Sequence, residues 1–456
     1  MKKLLLIYAP FCTPASPPYS ITKLHAFLKS NLCGKYELDV LDLNIEYHKK
    51  YFRNYKQYYG GMLKNYDKEQ YEKTTKEYIL ATKENYSENN KRIIMGKMPN
   101  MFTELLEKIT AQKPDIAAFS IVYSSQVFYA YALIKELKAL GIKTIAGGPA
   151  VNHKIADLAD KTPKDEHEFV EYLLEKQINR GALNTRLALD FKLYDLQDYF
   201  TPAPVIPIQT STTCCYQGCA FCTHYNRNAK YAEFNLEEIK KTIVSSGQNF
   251  FFLIDDMVNK KRLLEIAYAV MPLGITWACQ LRPTRDMDHY TLKTLRDSGL
   301  KMIMWGVESG CNRILSLINK GTNKDDIRLV LQGSHRAGIK NIAYIMFGFP
   351  TETKEEFLET VNFLKDSSEC IDLVSSTVFG LQKGTKIYEK PEDFGITKIN
   401  EEERTLLEPK ISYEVSHGLA QEDAMLLKER YKRTLEQINK YPKGMNFFRE
   451  HMLCLL

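Results

Sequence analysis

Long apolar runs are missing from this 456-residue chain. The opening Leu4-Leu5-Leu6-Ile7-Tyr8 falls far short of the ~20 residues of a membrane span and of a secretory leader with its cleavage site, so it reads as a buried first strand. No membrane partner is expected, and a cytoplasmic location is. Dense basic patches are missing too: the net charge of +6 is spread over 62 basic and 56 acidic side chains, which does not argue for nucleic acid. There is no H-x3-H pair and no second C-x2-C, so a zinc site would have to collect its remaining ligands from scattered residues.

What is present is ordinary globular composition, 44% hydrophobic and 26% charged, over a length that suits two or three domains. Of ten cysteines, three stand together in Cys215-Tyr-Gln-Gly-Cys219-Ala-Phe221-Cys222. One loop with C-x3-C-x2-C spacing can wrap three thiolates round one metal centre, and such soft ligands select iron–sulfur clusters, zinc or cuprous ions. Four cysteines complete a four-iron cluster, so a local group of three leaves one iron open. Cys214 introduces a second register, C-x4-C-x2-C; it reads otherwise as a small buried thiol.

The spacing, with Phe221 before the last cysteine, resembles the radical S-adenosylmethionine (SAM) superfamily. The resemblance implies a [4Fe–4S] cluster on Cys215, Cys219 and Cys222, with Phe221 beside the adenine of SAM. The open iron would chelate the amino and carboxylate groups of SAM, and cleavage of the sulfonium would give a 5′-deoxyadenosyl radical. A one-electron donor such as flavodoxin or ferredoxin is implied as partner.

Around this loop the chain alternates strands and helices, which predicts parallel βαβ units and an α/β fold. Apolar runs at 3–9, 38–43, 115–122 and 144–146, with helical stretches at 19–32 and 126–140, form a first domain over residues 1–180. Their order resembles the Rossmann-like cobalamin-binding domain that precedes the radical SAM core in one subgroup. The features that carry this are the proline-bearing loop from Tyr8 to Pro18, the segment with Ser120 and Ser124, and the turn Gly147-Gly148-Pro149, whose glycines would let backbone lie against a cofactor tail. A Gly-Gly-Pro after a strand is also a common turn without ligand. Two departures stand out. The loop Phe11–Ser16 lacks the histidine that ligates cobalt in many cobalamin proteins, and Thr162–Glu168 occupies the place of a fifth strand.

An insertion from Glu46, extending to about residue 112, holds nine of the 28 tyrosines before Met98. A solvated helical pair capping the domain, a lid over the substrate and a stacking surface for nucleic acid all accommodate that composition. Residues 181–205 read as a proline-punctuated linker.

From 206 to 390, six strand–helix units predict an incomplete (β/α)6 barrel, with strands near 206–211, 250–254, 276–280, 302–306, 341–347 and 373–379. Active sites form at the C-terminal ends of such strands. There stand Asp255 and Asp256, Arg282, Glu308-Ser309-Gly310, and Gly348-Phe-Pro350-Thr-Glu-Thr353. The resemblance places Asp255, Asp256, Arg282, Glu308, Ser309, Gly348 and Pro350 near SAM, where a carboxylate and an arginine would suit its ammonium and carboxylate. Glu308 could equally be a cap or a salt bridge, His224 a supporting or surface histidine. Residues 391–456 read as a helical extension, with one helix over Gln421–Tyr441.

The reading that follows is a radical SAM enzyme with cobalamin and, by analogy, methyl transfer to an unactivated carbon of a small molecule or peptide. Two others remain open: the same enzyme with an empty Rossmann-like domain serving substrate or partner, and a non-catalytic metal-cluster protein.

Overall fold

The computed structural model describes residues 1–226 and 230–456. Two compact units divide the chain: Met1–Pro207 with Glu237–Gln248 and Arg404–Glu408, and Ile208–Leu236 with Asn249–Glu403 and Pro409–Leu456. Among the described residues no helix is long and apolar enough to cross a membrane.

In the first unit β1 (Lys2–Tyr8), β2 (Tyr36–Asp42), β3 (Ile116–Ser120) and β4 (Lys143–Gly147) form a parallel sheet in the order β2-β1-β3-β4. β1 is central, and Leu4 to Ile7 are fully buried, as the unbroken apolar run requires. β2 is the edge strand, which accounts for its interruption by Asp39; that carboxylate meets Lys3 Nζ at 2.6 Å. Helix α1 (Tyr19–Asn31) buries Ile21, Phe27 and Leu28 on the sheet. The expected absence of a full fifth strand takes a definite form: one parallel bridge joins Ile145 to Lys161.

The insertion is helical: α2 (Leu43–Tyr51), α3 (Arg53–Gly61), α4 (Lys68–Ile94) and α5 (Phe102–Thr110). Tyr47, Tyr59, Tyr71 and Tyr78 are fully buried, and Tyr59 meets Tyr78 edge-on at 6.0 Å. These rings are core, which removes them from any nucleic-acid stacking surface. Residues 181–205, expected as a linker, are instead a packed strap. Phe191 and Phe200 are buried, Tyr199 donates to Asp42 at 2.9 Å, and Lys49 pairs with Asp198 at 2.5 Å.

The second unit is built on a six-stranded sheet in chain order: β5 (Val205–Ile208), β8 (Phe250–Leu253), β9 (Thr276–Leu281), β10 (Leu300–Glu308), β11 (Lys340–Phe347) and β12 (Leu373–Val378). β8 to β12 pair in parallel, with helices between them, and β5 and β12 remain the two edges of an open barrel. The short strands β6 (Ser211–Thr212) and β7 (Ala232–Glu233) clip together outside it.

The C-terminal region departs from the helical expectation. β13 (Ile396–Glu402) and β14 (Lys410–Val415) form an antiparallel hairpin, because Ile411, Tyr413 and Val415 recur every second residue and the first strand's glutamates face solvent. The single helix expected over 421–441 breaks at Tyr431 into Gln421–Arg430 and Lys432–Ile438. The apolar end is a plug: Met452 and Leu453 are fully buried where Arg449–Cys454 packs on β8 and β9.

Candidate functional site

The cysteine loop begins where β5 ends, and buried charges pin its entrance. Thr210 N donates to both oxygens of Asp255 at 2.9 and 3.0 Å, while Ser211 gives its N–H and hydroxyl to Oδ1, each at 2.7 Å. Arg262, 3% exposed, donates to the carbonyls of Thr210 and Phe234. Within the loop Thr213 and Gln217 adopt left-handed φ values of 48° and 50°. Backbone bonds then fix it from several sides: Cys215 N to Met257 O, Ala220 N to Ile318 O, Cys222 N to Cys219 O and Ile387 N to Ala220 O.

Cys215, Cys219 and Cys222 are free and half-buried. Burial pushes the Cys215 and Cys219 thiols up to about 11 and raises Cys222; Arg282 opposes this at Cys215, and Lys320 at Cys219. Thiols of this kind stay protonated at neutral pH until a metal displaces the proton. Among the described residues no three His, Cys, Asp or Glu side chains converge on a single metal ion. A cluster whose ligands bind different irons needs no such convergence, so three soft thiols on one tethered loop fit it.

Beside the thiols lies a charged network that the sequence did not announce. The Arg282 guanidinium stacks 3.6 Å from the Tyr216 ring centre and donates to Lys320 O at 3.1 Å. Tyr216 OH donates to Asn319 O at 2.8 Å. Lys320, 7% exposed, pairs with Glu308 at 2.8 Å and lies 5.8 Å from the Phe221 ring centre. Burial opposes the Lys320 ammonium, but Glu308 and Cys219 outweigh it and raise its pKa above the usual lysine value. The only local sign of this arrangement is the turn Asn319-Lys320-Gly321, with φ of 56° at Asn319 and 67° at Gly321.

Glu308 itself takes φ of 63° at a bulge between β10 and β11. Asp256 pairs with His224 Nε2 at 3.0 Å and is partly exposed. Four other expected SAM neighbours are buried in this structure. Asp255 is 4% exposed and its oxygens hold the loop entrance. Ser309 is fully buried, its hydroxyl bonded to Thr360 Oγ1 and accepting from Cys311 N. Gly348, at φ of 70°, is bare because a Cβ would lie 2.5 Å from Ala424 Cβ; its N–H donates to Glu352. Pro350 is buried in the same turn. These residues shape the strand ends.

In the first unit, β1 connects to β2 on one side while β3 lies on its other, so the sheet order reverses direction at β1/β3. A crevice beyond the carboxyl ends of such strands is where open α/β sheets bind ligands. Gln126, fully buried and not foreseen, spans that edge: its Oε1 accepts from Val122 and Tyr123, and its Nε2 donates to Ala9 O at 2.7 Å. Gly148 has φ of 115°, and a Cβ there would lie 2.4 Å from Ile121 O. Gly147 faces open space, with nothing within 4 Å of where a Cβ would be. Pro149 and Ser124 are exposed, and Ser120 bonds Ser20 at 2.9 Å. Cys12, in the loop after β1, contacts Tyr8 OH at 3.4 Å; burial pushes its thiol up to about 12.

The profile of the Radical SAM superfamily matches residues 210–364. The barrel is a radical SAM domain. Such domains use a [4Fe–4S] cluster and SAM, and the match supports an enzyme. An uncharacterized methyltransferase of Pyrococcus horikoshii is 23% identical over 348 residues, 66% of this chain and 75% of the relative. Several other curated relatives are matched over less than half of their own length. Among solved structures, the radical SAM methyltransferase TsrM of Kitasatospora setae, with cobalamin and a [4Fe–4S] cluster bound, matches with TM-score 0.64 at 13% identity, covering 96% of this chain and 89% of that one. The cobalamin-dependent radical SAM enzyme OxsB with aqua-cobalamin matches with TM-score 0.61 at 13% identity, covering 94% and 66%. These likenesses establish the fold: a Rossmann-like unit and an open barrel.

Proposed function

We propose that this radical SAM enzyme is cobalamin-dependent and transfers a methyl group to an unactivated carbon of a small molecule or peptide. Cys215, Cys219 and Cys222 would hold the cluster, and the crevice edged by Gly147, Gly148, Pro149 and Ser124 would hold cobalamin. The observation that carries the reading is the cysteine loop, a tethered trio of thiols at the C-terminal end of the first barrel strand. When bound, the cluster supplies the electron that splits SAM into methionine and a 5′-deoxyadenosyl radical, and cobalamin supplies methyl carriage.

The chain's own residues fix and shield. Asp255 and Arg262 hold the loop entrance in one geometry, and Glu308 offers an acceptor for an ammonium. Phe221, beside Lys320, offers an apolar face to the adenine. Three clustered thiols kept for a metal centre suit a reducing compartment, the cytoplasm, where an electron donor such as flavodoxin or ferredoxin would serve it. Anaerobic reconstitution with iron, sulfide and hydroxocobalamin tests the proposal. It expects about four irons and one cobalt per chain, 5′-deoxyadenosine from SAM with dithionite, and labelled methyl in product formed from labelled SAM.

A second reading, in which the Rossmann-like unit holds no cobalamin and receives substrate or a partner, is favoured by two observations. Cys12 stands in the loop that lacks a histidine, and the fifth strand is reduced to the Ile145–Lys161 bridge. Iron without cobalt after reconstitution would select it.

A further inference from the structure

The last helix, Arg449–Cys454, brings two charged side chains to the inner face of the barrel sheet. The alternation along β11 shows how. Asn341 donates to Leu331 O at 3.0 Å and Phe347 stacks on Phe357 at 4.2 Å, so the odd-numbered residues meet the surrounding helices. Tyr344 therefore points to the opposite, inner face, where its register partner on β10 is Gly306. That face also carries the Lys320–Glu308 pair, since a Cβ on Gly306 would come within 2.9 Å of Glu308 Oε1. The Arg449 guanidinium lies 4.9 Å from the Tyr344 ring centre and so stands on the same side. Its helix is a fixed platform: Met452 and Leu453 are fully buried, and Phe448 stacks on His451 at 4.3 Å.

Neither charge is satisfied from within. Arg449 and Glu450 are half-buried neighbours in sequence, yet among the described residues neither takes part in an ion pair and no side chain bonds to the Tyr344 hydroxyl. The buried Arg449 Nε has no partner. Burial pushes the Glu450 carboxyl up, with Arg449 opposing. Unmatched polar groups away from water are costly, and a guanidinium held open on a rigid element presents a fork that fits a carboxylate. We propose that Arg449 and Glu450 bind the substrate, a small carboxylic acid whose carboxylate meets the Arg449 fork and whose neighbouring amine or hydroxyl donates to Glu450. The inference names the substrate class of the enzyme proposed above and rests on that reading. Tyr344 is a positioning residue, its ring holding the guanidinium flat.

The test titrates protein carrying a reconstituted but unreduced cluster with the common amino acids, their carboxamides and the matching α-hydroxy acids, with binding read by saturation-transfer NMR and calorimetry. At least one free acid should bind, and its carboxamide should bind about 10- to 100-fold more weakly, the range of a charge-assisted hydrogen bond. Arg449→Met should erase that preference while SAM affinity and iron content hold. Arg449→Lys should keep part of it, and carries the comparison if melting curves show that Arg449→Met does not fold. Glu450→Gln should weaken an amino acid more than its hydroxy acid, which tells the two donors apart. Acid and carboxamide bound alike, a preference retained in full by Arg449→Met, or no binding by any probe overturns the inference. Loss of SAM affinity in folded Arg449→Met overturns it too, because both charges would then serve the cofactor. Iron without cobalt after reconstitution, with acid binding intact, overturns the cobalamin reading alone.

Discussion

The two units build their candidate sites in opposite ways. In the barrel the site consists of side chains with chemistry of their own: three thiols, a stacked arginine and a buried lysine–glutamate pair. In the Rossmann-like unit it consists of backbone and absence, with Gly147 open to space, Gly148 bare against Ile121 and Gln126 binding loop to loop. A cluster must be ligated by particular atoms, so its site is written in residue types and spacing. A large flat cofactor is held by shape, and shape is written only in what is missing.

The comparison breaks first at the cysteines. Replacing Cys215, Cys219 or Cys222 by Ala should abolish 5′-deoxyadenosine formation and cluster absorbance while leaving cobalt binding in the other unit intact. Loss of both together would mean the sites are not independent. A smaller effect sharpens the contrast between charged and neutral interiors. Burial pushes Glu352 up to about 8, and its Oε1 has no partner. Because this folded pKa lies above the unfolded one, the stabilising proton is held fully below about pH 4.5 and its contribution is lost as pH rises through about 8. Melting curves from pH 6 to 9.5 should fall by an amount worth a few kcal/mol, and Glu352→Gln should flatten them.

Next in size, Asp255→Asn replaces two acceptor oxygens by one and should cost about 3 kcal/mol, the scale of lost charge-assisted bonds, with reduced iron retention. Smallest is Gly148→Ala, which forces a Cβ into Ile121 O at a left-handed backbone and should cost about 1–3 kcal/mol. Cobalt stoichiometry should fall while iron stays unchanged. If iron falls instead, the turn does not belong to a cofactor site of its own unit.

What could be read in advance follows the same division. The barrel strands were visible because helical stretches alternate with them, and the cysteine loop was visible because its ligands are near neighbours in sequence. Lys320 was not: its partners Glu308, Arg282 and Phe221 come from three other segments, and only the turn Asn319-Lys320-Gly321 marks the place. Gln126 looked like an ordinary helix start, although its amide reaches Ala9, 117 residues away. The contacts that Asp255, Ser309 and Gly348 make were hidden for a related reason. Position at a strand end does not say which way a group turns, and each is claimed by Ser211, Thr360 or Ala424 from outside its own segment. The hairpin at 396–415 was hidden by its glutamates, which suit a solvated helix as well as the outer face of a strand.

The most direct test of the central claim is the electron paramagnetic resonance spectrum of anaerobically reconstituted, dithionite-reduced protein, recorded with and without SAM. A reduced [4Fe–4S] signal that changes on adding SAM, and is lost in Cys219→Ala, is the expected result. Protein that carries no iron signal, or one indifferent to SAM, would contradict it.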